Sequence, residues 1–309
     1  MPHGTLKQHE TQPPSRHFTN PMIAHLLMLR PQQWTKNLLV LAALLFAGQI
    51  SDPMQCFRAL NLFVAFCLVS SGVYVINDLK DRETDRLHPR KRHRPIASGS
   101  VKAPNAVIIA LVLFAAGLSL AWTSTLSAFA SVLAYLALQA AYTTALKHVV
   151  ILDVIAVSAG FVLRAAAGAL AIQVSISPWL LICTILLALF LGLSKRRSEL
   201  LAPGLPLEHR RVLNHYSVAF LDQLIAIVTS CTLLSYILYT FSEQTMQKFA
   251  SHLMPLTLPF VLYGIFRYLY LIYMKSEGGE PEMLLLKDLP LLLDVAFWGL
   301  TVILIVSLD

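Results

Sequence analysis

Charged residues are scarce in this sequence. Of its 309 residues only 13% are Asp, Glu, Lys or Arg, whereas 56% are hydrophobic, and the mean hydropathy is +0.65. Soluble globular domains carry about 25% charged residues. The shortage excludes a soluble domain, and the chain is expected to be a membrane protein.

Cysteine is also sparse, and several common site motifs are missing. No two of the four cysteines have CxxC spacing, so their pattern indicates neither a metal site nor a disulfide. The sequence lacks the GxxxxGK, GxGxxG and HExxH patterns, which leaves the common soluble nucleotide and zinc sites without support. Residues 1–21 are polar, lack the apolar core of a secretory signal, and are expected to form a disordered cytoplasmic tail.

Long apolar runs fill most of the remaining chain. A transmembrane helix needs roughly 20 apolar residues. Nine segments approach this length: 33–50, 59–77, 104–123, 127–146, 150–172, 177–194, 217–240, 253–274 and 289–307. We therefore expect an all-α polytopic membrane protein in which residues 22–309 form a single domain of nine transmembrane helices.

Basic residues are distributed unevenly around these segments. All but three of the 24 Lys and Arg residues fall on the side that carries the N-terminus, the exceptions being Arg58, Lys248 and the intramembrane Arg164. By the positive-inside rule that side is cytoplasmic, and nine crossings then place the C-terminus outside. The net charge of +7 thus reflects topology, and no nucleic-acid partner is expected.

An acidic motif from Asn77 to Asp85 follows directly on the second segment. If the helix continues, about 100° per residue places Asp78, Asp81 and Asp85 within roughly a 60° arc, with Asn77 beside them. Convergent carboxylates suit Mg²⁺ shared with a substrate phosphate, which predicts activation of a diphosphate leaving group. The alternative is a solvated helix end of mixed charge, because basic residues are interleaved.

A dense basic stretch from Arg86 to Gly99 comes next, and its two prolines prevent one continuous helix. Arginine side chains match phosphate oxygens in geometry and charge. We take Arg82, Arg92 and Arg94 as candidates for holding a phosphorylated substrate over the metal. The alternative role is a topology anchor that binds anionic lipid head groups.

Two adjacent motifs carry a family resemblance. The pattern NDxxDxxxD at residues 77–85, followed by KRxRPIASG at residues 91–99, resembles the first signature of the UbiA prenyltransferase superfamily, whose fold nine segments fit. Further stretches resemble the branch of decaprenyl-phosphate phosphoribosyltransferases: RPQQWTKN at 30–37, LKH at 146–148 with Asp153, SKRRSEL at 194–200, YGIFRY at 263–268 and LKD at 286–288.

The resemblance implies Mg²⁺ as cofactor, phosphoribosyl pyrophosphate as donor and a polyprenyl phosphate as acceptor, in a bacterial inner (plasma) membrane. Many aromatic prenyltransferases of the superfamily carry a second acidic motif, whereas the corresponding region here offers Lys147, His148 and the single acid Asp153. This departure favours one phosphate held by bases over a prenyl diphosphate held by a second metal cluster.

Other polar residues in or near the segments extend the candidate site. Asp153 and Arg164 differ by about 20° in helical phase and are expected to face one interior groove, unless each has a structural partner. Tyr74 and Tyr142 are candidates for lining the site, with interface aromatics as the alternative. The resemblance also singles out several bases near helix ends as phosphate ligands; the alternative is that they only extend their charges to the membrane surface. These bases are Lys36, Lys147, His148, Lys195, Arg196 and Arg267.

The leading hypothesis is transfer of 5-phosphoribose from phosphoribosyl pyrophosphate to a long polyprenyl phosphate, with release of pyrophosphate. One alternative joins a prenyl diphosphate to an aromatic or haem-type ring. A second is a non-enzymatic carrier or lipid-binding protein, which would place its acids near the bilayer midplane. Membrane lipids are the remaining expected partners, and the oligomeric state stays open, with a homo-oligomer compatible with the pattern.

Overall fold

The computed structural model describes residues 21–88, 91–202, 212–248, 252–275, 277–279 and 281–307, and regular structure within these ranges is helical throughout. The predicted N-terminal tail lies outside the described residues except for its last position. The α-helices are α1 (Pro21–Met28), α2 (Leu39–Phe46), α3 (Pro53–Lys80), α4 (Arg82–Leu87), α5 (Ala103–Trp122), α6 (Leu126–Thr144), α7 (Leu152–Ala171), α8 (Pro178–Leu201), α9 (Val218–Phe241), α10 (Glu243–Lys248), α11 (Leu258–Met274), α12 (Pro281–Lys287) and α13 (Leu289–Ser307). Short 3-10 helices cover Pro31–Leu38, Lys91–His93, Leu146–His148 and Met254–Thr257.

Eight helices in the described part of the chain are long and apolar enough to cross a membrane, namely α3, α5, α6, α7, α8, α9, α11 with its preceding turn, and α13. They match eight of the predicted segments and confirm the all-α membrane fold. The first predicted segment, residues 33–50, instead combines the 3-10 helix Pro31–Leu38 with α2. Its combined rise of roughly 28 Å is close to the ~30 Å hydrocarbon core. The predicted count of nine is therefore approximate.

The 3-10 helix Pro31–Leu38 and α2 together form what we call the compound segment, residues 31–46. Polar residues explain why this segment begins as a 3-10 helix. With about three residues per turn, Trp34 and Asn37 lie above one another on one face. Trp34 Nε1 donates to Ser71 Oγ at 3.0 Å, and Asn37 Nδ2 donates to Ser70 Oγ at 3.2 Å, both on α3. Unpaired polar groups are costly in hydrocarbon, so the tighter winding that aligns both side chains with α3 is stabilised.

Glycines set the spacing between central helices. A Cβ atom at Gly117 of α5 would lie 3.0 Å from the carbonyl oxygen of Ala65 in α3. One at Gly168 of α7 would overlap the carbonyl oxygen of Val40 in α2. Small residues allow helices to approach this closely in a membrane, where packing and not the hydrophobic effect drives association. The compound segment is thereby held against α7.

Arg164 of α7 is a buried cation that connects three elements. Its Nε donates to Asn37 Oδ1 at 2.7 Å, and its Nη1 donates to the carbonyl oxygen of Gly160 at 2.8 Å. Its Nη2 donates to the Tyr135 hydroxyl at 2.9 Å, and the guanidinium carbon lies 4.5 Å from the centroid of that ring. A charge in the membrane interior is tolerated when it is paired or hydrogen-bonded in this way. The network joins the compound segment, α6 and α7.

Gly168→Ala is expected to destabilise the fold, because the added methyl group must displace the backbone of α2 at Val40. Overpacking of this kind costs about 1–3 kcal/mol, so the melting temperature in detergent should fall by several degrees. Gly299→Ala on α13 is the matched control, since nothing lies within 4 Å of its added Cβ. Alanine favours the helix, so this control should be as stable as the original chain or slightly more so. Equal melting temperatures for the two variants would contradict the close contact.

Candidate active site

The acidic motif lies where α3 ends and α4 begins. Asn77 and Asp78 belong to the last turn of α3, Asp81 occupies the break, and Asp85 belongs to α4. The predicted continuation of the helix is confirmed as far as Lys80, but at Asp81 the backbone leaves the helical region with ψ near 6°. Asp78 and Asp85 are buried, whereas the Asp81 side chain is 45% exposed. Within the described residues, no three His, Cys, Asp or Glu side chains are arranged as a metal site.

Two arginines neutralise the buried acids. Nη1 of Arg94 lies 3.1 Å from Asp78 Oδ1 and 2.6 Å from Asp85 Oδ2, so a single nitrogen bridges both carboxylates. Nη2 of Arg30 lies 2.5 Å from Asp78 Oδ1, and its guanidinium carbon lies 5.2 Å from the ring centroid of Tyr74. The structure thus brings Arg94 and Tyr74 to the motif. It also adds Arg30, a site residue that sequence reasoning missed because its partner is 48 positions away.

The end of α6 and the 3-10 turn that follows lie beside the exposed acid. Lys147 Nζ is 3.7 Å from Asp81 Oδ1. Thr143 Oγ1 donates to Asn77 Oδ1 at 2.9 Å and so fixes the amide of the motif. His148 is on the same turn but is exposed. The structure therefore brings Lys147 to the acids and leaves His148 at the surface.

The basic residues around α4 are engaged with their own neighbours. Arg82 Nε donates to Glu83 Oε1 at 2.9 Å, and Arg86 Nη1 donates to Glu83 Oε2 at 2.9 Å. The hydrogen bond from Arg82 holds the pKa of Glu83 below its ordinary value. Arg92 Nε lies 3.4 Å from His93 Nε2. In the described ranges, neither Arg82 nor Arg92 contacts the aspartates of the motif.

Asp153 is completely buried at the start of α7, and both of its oxygens are engaged. Oδ2 accepts from Arg196 Nε at 2.7 Å, and Oδ1 accepts from the Tyr216 hydroxyl at 2.8 Å. The Tyr216 oxygen in turn accepts from the backbone N–H of Ile151 at 2.7 Å. Burial, followed by the hydrogen bond to Asp153, raises the pKa of Tyr216 to about 12. The hydroxyl therefore keeps its proton and acts as a donor at neutral pH.

This geometry fixes the guanidinium of Arg196 against Asp153. The Nη1 of Arg196 also donates to Glu199 Oε2 at 2.8 Å, so the guanidinium is fixed from two sides. Ile151, which starts the network, has φ of 70°, a strained backbone conformation for a β-branched residue. Sequence reasoning missed Tyr216, because no local pattern links a tyrosine to an aspartate 63 residues away.

A cavity of about 1590 Å³ runs through the bundle beside these groups. Its polar end is lined by five of the predicted site residues: Lys36, Arg94, Tyr142, Lys195 and Arg196. The wall then becomes mostly apolar, and on α8 the lining extends from Glu199 back to Pro178. These residues span roughly 32 Å at about 1.5 Å per residue, which is the thickness of a hydrocarbon core. The cavity therefore accommodates a ligand with an anionic head and a long apolar tail.

Eight of the predicted substrate-binding residues lie outside this lining in the described structure, among them Arg164 and Arg267. Arg164 is enclosed by the network between α6, α7 and the compound segment. Arg267 Nη2 donates to Asp288 Oδ2 at 2.8 Å, which lowers the pKa of Asp288. Asp288 also accepts from the backbone N–H of Leu291 at 3.0 Å, near the start of α13. Both arginines therefore join helices through these contacts, and their role as substrate ligands stays a prediction.

Comparison with known proteins agrees with the resemblance drawn from the motifs. Residues 37–284 match the UbiA prenyltransferase family. Two curated relatives are named decaprenyl-phosphate phosphoribosyltransferase. The one from Mycolicibacterium smegmatis is 35% identical over 304 residues, covering 92% of this chain and 93% of the relative. The one from Corynebacterium glutamicum is 33% identical over 294 residues, covering 93% of this chain and 87% of the relative.

A solved structure shares the fold at low sequence identity. It is a UbiA homolog from Archaeoglobus fulgidus bound to DMAPP and Mg²⁺, with a TM-score of 0.67 and 18% identity over 93% of this chain and 100% of that one. The eight spanning helices, the family match and the two relatives agree with one another. This chain is a membrane transferase that belongs to the UbiA prenyltransferase family.

Proposed function

We propose that this protein transfers 5-phosphoribose from phosphoribosyl pyrophosphate to the phosphate of a polyprenyl phosphate and releases pyrophosphate. The cavity carries the proposal: basic residues at its polar end lead into an apolar passage of roughly 32 Å. A polyprenyl phosphate has that shape, because one phosphate ends a long apolar chain. The names of the two relatives, which cover more than nine tenths of this chain, support the same reaction.

The acceptor phosphate is assigned to Lys36, Lys195 and Arg196. These bases lie at the polar end of the cavity, where the apolar passage begins. Arg196 is held in place by Asp153, so its position does not depend on the ligand. The lipid phosphate is already an anionic nucleophile. The bases therefore need only to orient it toward C1 of the ribose, and a strong general base is unnecessary.

The pyrophosphate group of the donor is assigned to the acidic motif. Its three aspartates, with Asn77, would supply the oxygen ligands that Mg²⁺ prefers. The donor set fits a cation, because Asp78 and Asp85 already share one, the guanidinium of Arg94. When bound, Mg²⁺ would neutralise charge that develops on the departing pyrophosphate. The Archaeoglobus fulgidus homolog, which has the same fold, binds Mg²⁺ together with DMAPP.

The proposed reaction exchanges one bond at C1 of the ribose. The bond to the pyrophosphate oxygen breaks and its electron pair leaves with pyrophosphate, while an oxygen of the lipid phosphate forms the new bond. The intervening state resembles an oxocarbenium ion, as in other glycosyl transfers. Arg92, Arg94 and Lys147, on the segments that flank the motif, are assigned to the pyrophosphate oxygens. The apolar cavity wall would keep water away from C1.

The site is proposed to face the cytoplasm of a bacterium, with residues 22–309 forming one domain of the inner membrane. The basic residues concentrate at the end of the bundle that carries the acidic motif, as the positive-inside rule requires for a cytoplasmic side. Phosphoribosyl pyrophosphate is a soluble metabolite, so it would enter the site from that side.

Transfer of a prenyl group from its diphosphate to an aromatic or haem-type ring is the second candidate. It is favoured by the shared fold with a homolog bound to DMAPP. It is disfavoured by Asp153, the acid in the region of the second motif, whose two oxygens are engaged by Arg196 and Tyr216. A carrier is disfavoured because the acidic motif lies at one end of the bundle and not near its middle.

One assay separates these candidates. Protein purified in detergent is incubated with Mg²⁺, radiolabelled phosphoribosyl pyrophosphate and a polyprenyl phosphate, and the label is followed into the lipid-soluble fraction. We expect a labelled lipid and one pyrophosphate released per transfer. Consumption of a prenyl diphosphate with an aromatic acceptor, together with no labelled lipid, would overturn the phosphoribosyl assignment.

Asp81→Asn is expected to lower turnover in this assay by about 10²-fold or more, because a charged metal ligand contributes several kcal/mol to leaving-group stabilisation. Asp81 gives the cleanest test, since its side chain is 45% exposed and its neutralisation leaves no buried base unpaired. Glu83→Gln is the matched control, because it removes a nearby exposed carboxylate outside the proposed site and should retain turnover. If Asp81→Asn turns over as fast as the control, the metal assignment is wrong.

Ala188→Phe should discriminate between acceptors of different chain length. Ala188 is buried and lines the cavity in the middle of α8, so a phenyl ring there would narrow the apolar passage. Displacing about two methylene groups of a long tail should raise the KM roughly tenfold, with a smaller effect on a short prenyl phosphate. Leu111→Phe, at an exposed position of α5, is the control. An equal effect on both acceptors would contradict a tail in this passage.

Tyr216→Phe is expected to weaken acceptor binding through Arg196. The change leaves one oxygen of Asp153 and the N–H of Ile151 without a partner, at a cost of about 1–3 kcal/mol. If part of this loosens Arg196, the KM for the polyprenyl phosphate should rise roughly three- to tenfold while kcat changes little. Arg196→Lys should raise the same KM, since lysine keeps the positive charge but lacks the planar set of N–H donors that a guanidinium offers to a phosphate. A lower melting temperature with an unchanged KM would show that the network supports only the fold.

A further inference from the structure

The acidic motif is balanced by bases of the same chain. The ion pairs are Arg30–Asp78, Arg94–Asp78, Arg94–Asp85 and Lys147–Asp81. Three negative charges therefore face three positive charges in this part of the described structure. A divalent ion gains little by entering a group that is already neutral, and it is repelled by the bases at close range. The motif is thus a poor site for a metal ion alone.

Arg94 lies where a shared metal ion would have to lie. Its Nη1 is 3.1 Å from Asp78 Oδ1 and 2.6 Å from Asp85 Oδ2. A Mg²⁺ ion that bridges two carboxylates needs oxygen atoms at about 2.0–2.1 Å. The ion and the guanidinium nitrogen cannot occupy the same space between these oxygens. Metal binding at Asp78 and Asp85 therefore requires the side chain of Arg94 to move.

The direction in which Arg94 can move is set by its surroundings. Its backbone N–H donates to the carbonyl oxygen of Lys91 at 2.9 Å, and the next turn is closed by Val101 N–H to Pro95 O at 3.0 Å. The loop backbone is thus fixed, whereas the side chain is 28% exposed and also lines the polar end of the cavity. A phosphate group at that end would accept the guanidinium in a charge-assisted pair.

From this geometry we propose that Arg94 is an exchangeable counter-cation of the acidic motif. It closes the metal site until a diphosphate arrives, and it then moves from the carboxylates to the phosphate oxygens as the metal ion takes its place. Metal ion and diphosphate bind together, and the metal ion alone binds weakly. The inference rests on the proposed function, in which a divalent ion binds at this motif.

Equilibrium dialysis with radioactive Mn²⁺ tests the exchange without any turnover. In the original chain, the amount of Mn²⁺ retained by the protein should be low and should rise strongly when inorganic pyrophosphate is added to both chambers. Arg94→Gln should bind Mn²⁺ about tenfold more tightly without pyrophosphate, because a unit positive charge beside the ion has been removed. The Mn²⁺ binding of this variant should also depend much less on pyrophosphate than that of the original chain. If Arg94 only supported the fold, Arg94→Gln would bind Mn²⁺ more weakly than the original chain.

Two variants serve as controls. Arg86→Gln removes the same charge from a neighbouring position, but Arg86 pairs with Glu83 and not with a carboxylate of the proposed site, so its Mn²⁺ affinity should stay near that of the original chain. Arg94→Lys keeps the charge and should bind Mn²⁺ weakly. The comparison of the original chain with and without pyrophosphate does not depend on any variant being folded.

The outcomes distinguish the inference from the proposed function. Equal Mn²⁺ affinity in Arg94→Gln and the original chain, with Mn²⁺ retained by both, would overturn the exchange and leave the metal assignment intact. Tight Mn²⁺ binding by the original chain without pyrophosphate would do the same. If neither chain retains Mn²⁺ even with pyrophosphate, the metal assignment falls and the exchange falls with it.

Discussion

Charges that are buried inside a membrane bundle have to be paired, because they are removed from the water that would solvate them. This protein meets the requirement with pairs between distant parts of the chain. Arg30 reaches Asp78 across 48 residues, and Arg196 reaches Asp153 across 43. Each pair fastens one helix end to another, so the bases of the candidate site hold their positions before any ligand binds. The geometry of the site is thus a consequence of neutralising its acids.

The same constraint acts in the interior of the bundle. Arg164 lies in a spanning helix, and its guanidinium is satisfied by the Asn37 amide, a backbone carbonyl and the Tyr135 hydroxyl. The compound segment must present Asn37 to α7 and α3 at once, and its 3-10 winding does so. A regular α-helix of the same length would be shorter than the hydrocarbon core. Pairing of one intramembrane arginine and the span of the membrane therefore favour the same irregular segment.

Much of the fold and part of the candidate site could be predicted from the sequence. Composition and segment length predicted nine spanning helices, and eight of them are present in the described part of the chain, because a bilayer requires a helix of about 20 apolar residues. Helical phase placed Asp78 near Asp85, and their shared partner Arg94 agrees with this. It could not show that the backbone leaves the helical region at Asp81 or that this acid is 45% exposed. The partners Arg30 and Tyr216 could not be predicted, since their contacts depend on how helices pack and not on local spacing. Periodicity describes one helix at a time.

The two acid positions differ in whether their partners can exchange. At Asp78 and Asp85 the shared cation is Arg94, a loop residue whose side chain is 28% exposed and borders the cavity. At Asp153 the partner Arg196 is itself buried, and the second oxygen is taken by Tyr216, so separating the pair would leave a buried charge unpaired. Breaking such a pair typically costs about 3–5 kcal/mol, far more than exchange at a partly exposed one. In the proposed reaction, one side of the site would admit a metal ion with a diphosphate, while the other would offer a fixed arginine to a single phosphate. That asymmetry suits a diphosphate donor and a monophosphate acceptor better than two diphosphate sites.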